Sequence, residues 1–86
     1  MERIFITNQI KFDILRTGGL PADHPYNLTA NTPLIKIGYD TDLHCRLLEE
    51  RLHEIAQEYN TGKKVAEGDV SKYLTVRECI QLVVAS

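Results

Sequence analysis

Tryptophan is absent from this 86-residue chain, methionine occurs once, and phenylalanine and cysteine twice each. Two cysteines, Cys45 and Cys79, are too few for the disulfide framework of a small secreted domain, so they read as reduced, partly buried thiols. No apolar run approaches the roughly 18 residues of a membrane span. The opening Met-Glu-Arg-Ile has neither the basic nor the apolar region of a secretory leader. The expectation is a cytoplasmic protein with no membrane partner. Clustered cations are missing too: the longest basic run is Lys63-Lys64, and 10 Lys plus Arg stand against 12 Asp plus Glu. Non-specific nucleic-acid binding needs clustered cations that release counterions, so nucleic acid is not an expected partner. Gly18-Gly19 belongs to neither glycine-rich phosphate-binding pattern.

What is present is ordinary globular composition, 43% hydrophobic and 26% charged, in a chain long enough for a single domain over 1–86. A chain this short buries only about 60–65% of its extended surface, so a second copy would help it, and a homodimer is expected.

The local pattern predicts an α+β fold. Residues 3–7 carry the β-favouring Ile4-Phe5-Ile6-Thr7, and over 10–15 Ile10, Phe12 and Ile14 alternate with Lys11 and Asp13, the period of a half-buried strand. Ile10, Ile14 and Leu15 also fit helical spacing, but strand is the reading adopted. Residues 16–33 hold Gly18, Gly19, all three prolines, Asn27 and Asn31. A connection of that length without structure of its own points to a binding loop or a surface excursion anchored by Tyr26 or Leu28. A third strand is expected at 34–38, between Pro33 and Gly38.

The clearest element is a helix over 42–60. Asp40 or Thr41 is its N-cap, Leu48, Leu52, Ile55 and Tyr59 line one face flanked by Leu47 and Ala56, and Asn60 and Gly62 stop it. Further on, 63–67 suits a strand and Gly68-Asp69 a turn. Thr75 and Glu78 form a capping box before an apolar run, which argues for a helix from Val76. The β-branched Val76, Ile80, Val83 and Val84 leave a strand as the alternative. The fold expected is therefore a small β-sheet packed against one long amphipathic helix, with a C-terminal helix or strand.

His24, His44, Cys45, His53 and Cys79 are the candidate zinc ligands, but none has ligand spacing, and His44 and His53, nine residues apart on one helix, face opposite ways. His44 and Cys45, adjacent on a helix, diverge rather than form a nucleophile and base. Glu49 and Glu50 read as a solvated helix face. No catalytic residue, metal or cofactor is expected.

Two short segments resemble the viral ring-nuclease family. Ile4-Phe5-Ile6-Thr7-Asn8 is similar to the family's "[FY]-L-T-N" first strand, and Ile37-Gly38-Tyr39-Asp40-Thr41 to its "[IV]-G-H-x-[ST]-T" turn. Glu67-Gly68 followed by Leu74-Thr75 and Glu78 looks like its "E-G…L-T-x-E-E" tail, with a longer gap. The resemblance implies a small α/β dimer that binds cyclic tetra-adenylate. The family's catalytic histidine falls on Tyr39, whose phenol is too weak an acid to replace imidazole near neutral pH, so the implied activity is nucleotide binding without cleavage.

Three functions follow as expectations. The first is a small non-enzymatic interaction or regulatory protein, of the kind a phage uses as an inhibitor, holding a protein partner through Glu49, Glu50, Glu54, Glu58, Tyr26 and His24. The second is nucleotide binding at the 38–42 strand-to-helix turn by Asn8, Gly38, Tyr39, Asp40 and Thr41, an anion site by helix polarity. The third is a DNA-binding regulator using 69–84, where a helix-turn-helix outline can be drawn.

Overall fold

The computed structural model describes residues 3–20 and 28–84. Its helices are α1 (Arg3–Thr17), α2 (Asp42–Glu58) and α3 (Val76–Val83), with a 3-10 turn at Leu34–Ile37 between α1 and α2. Among the described residues there is no strand, only one isolated antiparallel bridge between Pro33 and Thr75. The protein is all-α, and the expected sheet is overturned.

The strands expected at 3–7 and 10–15 are one continuous helix. Ile6, Ile10 and Ile14 recur every fourth residue, and all three are buried. A strand burying Ile10, Phe12 and Ile14 would also bury Asn8 and expose Asp13 and Leu15, whereas Asn8 is exposed and Asp13 and Leu15 are buried, which only a helical face allows. Asn8-Gln9 does not interrupt the chain: the Gln9 amide donates to Asp13 Oδ2 one turn on, at 2.8 Å. Packing of this apolar stripe overrides the weak helix propensity of isoleucine, phenylalanine and threonine.

The strand expected at 34–38 is the 3-10 turn. Pro33 and Gly38 do bracket it, and of its four residues only Leu34 is buried. Its backbone pairs with the stretch before α3: Leu34 N donates to Leu74 O and Ile35 N to Lys72 O, both at 2.9 Å. Val76 N and Arg77 N donate back to Thr32 O and Ala30 O. The 63–67 segment is irregular rather than a strand, and it ends in the expected turn, where Asp69 Oδ2 accepts from Ala66 N at 2.8 Å.

The expected helix at 42–60 is α2. Thr41 is its N-cap, accepting from His44 N at 3.2 Å. Asn60 (φ 50) and Gly62 (φ 81) turn the chain out at its end. In α3 the capping box forms, with Thr75 N donating to Glu78 Oε1 at 3.1 Å and Glu78 N to Thr75 Oγ1 at 3.3 Å. The β-branched residues there pack as a helix face, with Val76, Cys79, Ile80 and Val83 buried.

α1 and α2 run antiparallel. Phe5 near the start of α1 meets Tyr59 just past the end of α2, edge to face at 6.5 Å, and Asp13 meets Arg51 at 3.2 Å. Beyond α1 the seam closes on two glycines. A Cβ on Gly18 would stand 2.9 Å from Ile37 O, and one on Gly38, whose φ is 98°, would stand 2.9 Å from Gly18 O. Both the left-handed backbone and the close approach favour glycine at 38. Tyr39 then enters the core, fully buried, and its hydroxyl donates to the Ile14 carbonyl. The core proper is Ile10, Ile14, Leu48, Leu52, Ile55, Val76 and Val83, each inaccessible to solvent. No helix among the described residues is long and apolar enough to cross a membrane.

Candidate functional site

The acidic residues of α2 do not act as one face. Glu49 is buried, and its Oε2 accepts Gly68 N at 2.9 Å and Val70 N at 3.1 Å, clasping the 66–70 turn to the helix. The helical wheel holds the signal for this: Cys45, Glu49, Leu52 and Ala56 share one stripe, and all four are buried. Glu58 and Glu54 are committed to Arg51, whose Nη1 lies 3.4 and 3.3 Å from their Oε2 atoms. Arg51 Nε reaches the buried Asp13 at the same time. These ion pairs raise the Arg51 guanidinium against the opposing effect of its partial burial.

Glu50 is different. It is exposed and makes no hydrogen bond or ion pair among the described residues. It continues a stripe begun by Leu43 and Leu47, which stand 68% and 45% exposed, and followed by Glu54. Beside it a cleft of about 540 Å³ opens between α2 and the 65–67 segment. Arg46, Glu50, His53 and Glu54 line one side, Val65 and Glu67 the other, and Glu49 also borders it. Four carboxylates therefore surround the space against one guanidinium. Glu67, like Glu50, has no partner among the described residues. His53 Nδ1 is sealed from solvent with no hydrogen-bond partner among the described residues.

Arg46, His53, Val65 and Glu67 were not among the partner-binding residues read from the sequence. Reading 63–67 as a strand hid Glu67, since a strand there gives no reason to lie against α2. The Gly68-Asp69 turn, which was read, is what returns Glu67 toward the helix. His24 and Tyr26 lie outside the described residues.

The residues expected at the nucleotide site are not gathered. Asn8 sits in the first half of α1, in a groove with Phe5, Gln9 and Phe12. Gly38 lies against Gly18, ten positions further along, about 15 Å at the helical rise. Tyr39 has its ring in the core, where burial, reinforced by Cys79, pushes the phenol above its ordinary range. Thr41 Oγ1 accepts the His44 amide, so the helix supplies its own cap. Gly38, Asp40 and Thr41 are exposed.

Of the 69–84 outline only α3 is helical. Residues 69–74 hold no helix, only a bend at 69 and a turn at 72–73, so the first helix of a helix-turn-helix is not there. Cys45 and Cys79 are free and buried, and burial pushes the Cys79 thiol up to about 12. Among the described residues no group of three or more His, Cys, Asp or Glu converges as a metal site.

Comparison with protein-family models, with curated proteins and with solved structures finds nothing that matches this chain.

Proposed function

We propose that this chain is a non-enzymatic interaction protein that docks a protein partner on the outer face of α2 and the adjoining cleft. The observation that carries the reading is the state of Glu50 and Glu67. Both border the cleft, and neither is neutralised among the described residues, whereas Glu49, Glu54 and Glu58 have internal partners. Unpaired carboxylates beside exposed leucines complement a partner that presents lysine or arginine next to an apolar contact. Such charge complementarity sets orientation and association rate more than it sets affinity. Leu43 and Leu47 supply the apolar share, as exposed apolar patches do at interaction sites.

The direct test is charge reversal read by binding of an octalysine peptide. Glu50→Lys with Glu67→Lys should weaken capture at least tenfold in low salt, and the charge-matched pair Glu58→Lys with Asp40→Lys, both outside the cleft, much less. Equal losses from both variants would show that only overall charge matters, and the docking face would be withdrawn.

A further inference from the structure

The outer side of α1 carries the chemistry that the α2 face requires. Phe5, Asn8, Gln9 and Phe12 line a groove of about 270 Å³ there. Ile4 and Phe5 are largely exposed, and the cations Lys11 and Arg16 share this side of the helix. Neither cation makes an ion pair among the described residues. The one carboxylate of α1, Asp13, is buried and paired with Arg51. The outer side of α1 is therefore apolar and basic, whereas that of α2 is apolar and mainly acidic.

The two stripes also match in spacing. Phe5, Gln9, Phe12 and Arg16 recur four, three and four residues apart, as do Leu43, Leu47, Glu50 and Glu54. Laid parallel, Phe5 meets Leu43, Leu47 comes level with the middle of the groove, and Lys11 and Arg16 fall level with Glu50 and Glu54. Laid antiparallel, Arg16 would face Leu43 and Phe5 would face Glu54. Within one chain α1 and α2 pack through their inner sides, so the outer stripes meet only between copies.

We propose that the partner is a second copy of this chain, whose outer α1 stripe lies parallel on the outer stripe of α2. The proposal rests on the docking face above and names what fills it. The two patches differ, so the contact is head to tail, and each added copy offers a free patch to the next until a ring closes. The leucines and phenylalanines supply the apolar contact, and the charges set its orientation.

The test is sedimentation equilibrium of the full chain in low salt, where surface charges act most strongly. The average mass of the parent should climb above that of one copy as concentration rises. Lys11→Glu with Arg16→Glu, and separately Glu50→Lys with Glu67→Lys, should each weaken the association about tenfold or more. An equal mixture of the two variants should restore it, because each supplies the sign the other has lost, and restoration also shows that both fold. Lys36→Glu with Arg77→Glu, which reverses two exposed cations off both faces, should associate as the parent does. A parent that stays a single copy at every concentration would overturn the self-docking. So would a mixture no stronger than its components, or an equal loss from the Lys36 and Arg77 pair. Octalysine titrated into chain too dilute to self-associate keeps the two readings apart. A single-copy parent that captures octalysine through Glu50 and Glu67 would overturn the self-docking and leave the docking face standing; one that neither associates nor captures octalysine would overturn both.

Discussion

Glu49 and Glu50 are neighbours in the chain and chemically identical, yet one is buried and holds two backbone amides while the other is exposed and holds nothing within the described residues. The same contrast runs along the whole of α2. Its inner side carries Leu48, Leu52 and Ile55, fully buried, and its outer side Leu43 and Leu47, largely exposed. A step of about 100° around a helix decides whether a carboxylate is a structural clasp or a free charge. Residue type alone therefore says little about function here, and the position on the wheel says much.

The contrast can be broken from the inside outward. Leu52→Ala should cost about 2–5 kcal/mol in a urea melt, because the core around it closes only partly over the lost side chain. Leu47→Ala should stay within about 0.5 kcal/mol. Similar costs for the two would show that the sides of α2 are wrongly assigned.

High pH probes the same interior. The Cys79 thiol, held at about 12 against an ordinary 9.0 chiefly by burial, is protonated in the fold. A group whose pKa is raised on folding gives stability that is full below its unfolded value and lost as pH rises through its folded value. The melting temperature should therefore fall from about pH 9 towards 12, and Cys79→Ala should remove part of that fall, Tyr39 and the Cys45 thiol, both also raised by burial, contributing to the remainder. Iodoacetamide at pH 8 should label Cys79 far more slowly in the native chain than in urea. Rapid native labelling would place the thiol at the surface.

Glu49→Gln should cost about 1–3 kcal/mol, because a charged acceptor for two amides becomes a neutral one. Hydrogen exchange at Gly68 and Val70 should quicken in that variant. Tyr39→Phe, which removes the donor to the Ile14 carbonyl, should cost about 0.5–1.5 kcal/mol. The smallest effect is Glu50→Gln: within about 0.5 kcal/mol on stability, with its consequence appearing in partner capture.

Parts of this were legible in the sequence. The N-cap at Thr41, the stop at Asn60 and Gly62, the turn at Gly68-Asp69 and the capping box of Thr75 and Glu78 are local hydrogen-bond and backbone rules, and local rules survive folding. The failures came where two periods fit the same short apolar run. Ile10, Phe12 and Ile14 alternate as a strand does, and the helix is favoured only by the four-residue spacing of Ile6, Ile10 and Ile14 taken together with the polar Asn8 that breaks the two-residue period. The site was half legible. Glu50 and Glu54 follow from the helix, but Glu67 depends on where the 65–70 segment docks: the Gly68-Asp69 turn is local, and the clasp by Glu49 that holds it on α2 is not. Glu49 was readable as a buried position once the wheel was drawn. Its amide partners lie 19 and 21 residues away and were not readable.

The most direct measurement is a nitrogen-15 NMR titration of the labelled chain with octalysine. Shifts confined to Arg46, Leu47, Glu50, His53, Glu54, Val65 and Glu67, with α1 and the Gly38–Thr41 turn unmoved, are the expected result. Shifts centred on that turn, or spread evenly over every acidic residue, would contradict a docking face on the outer side of α2.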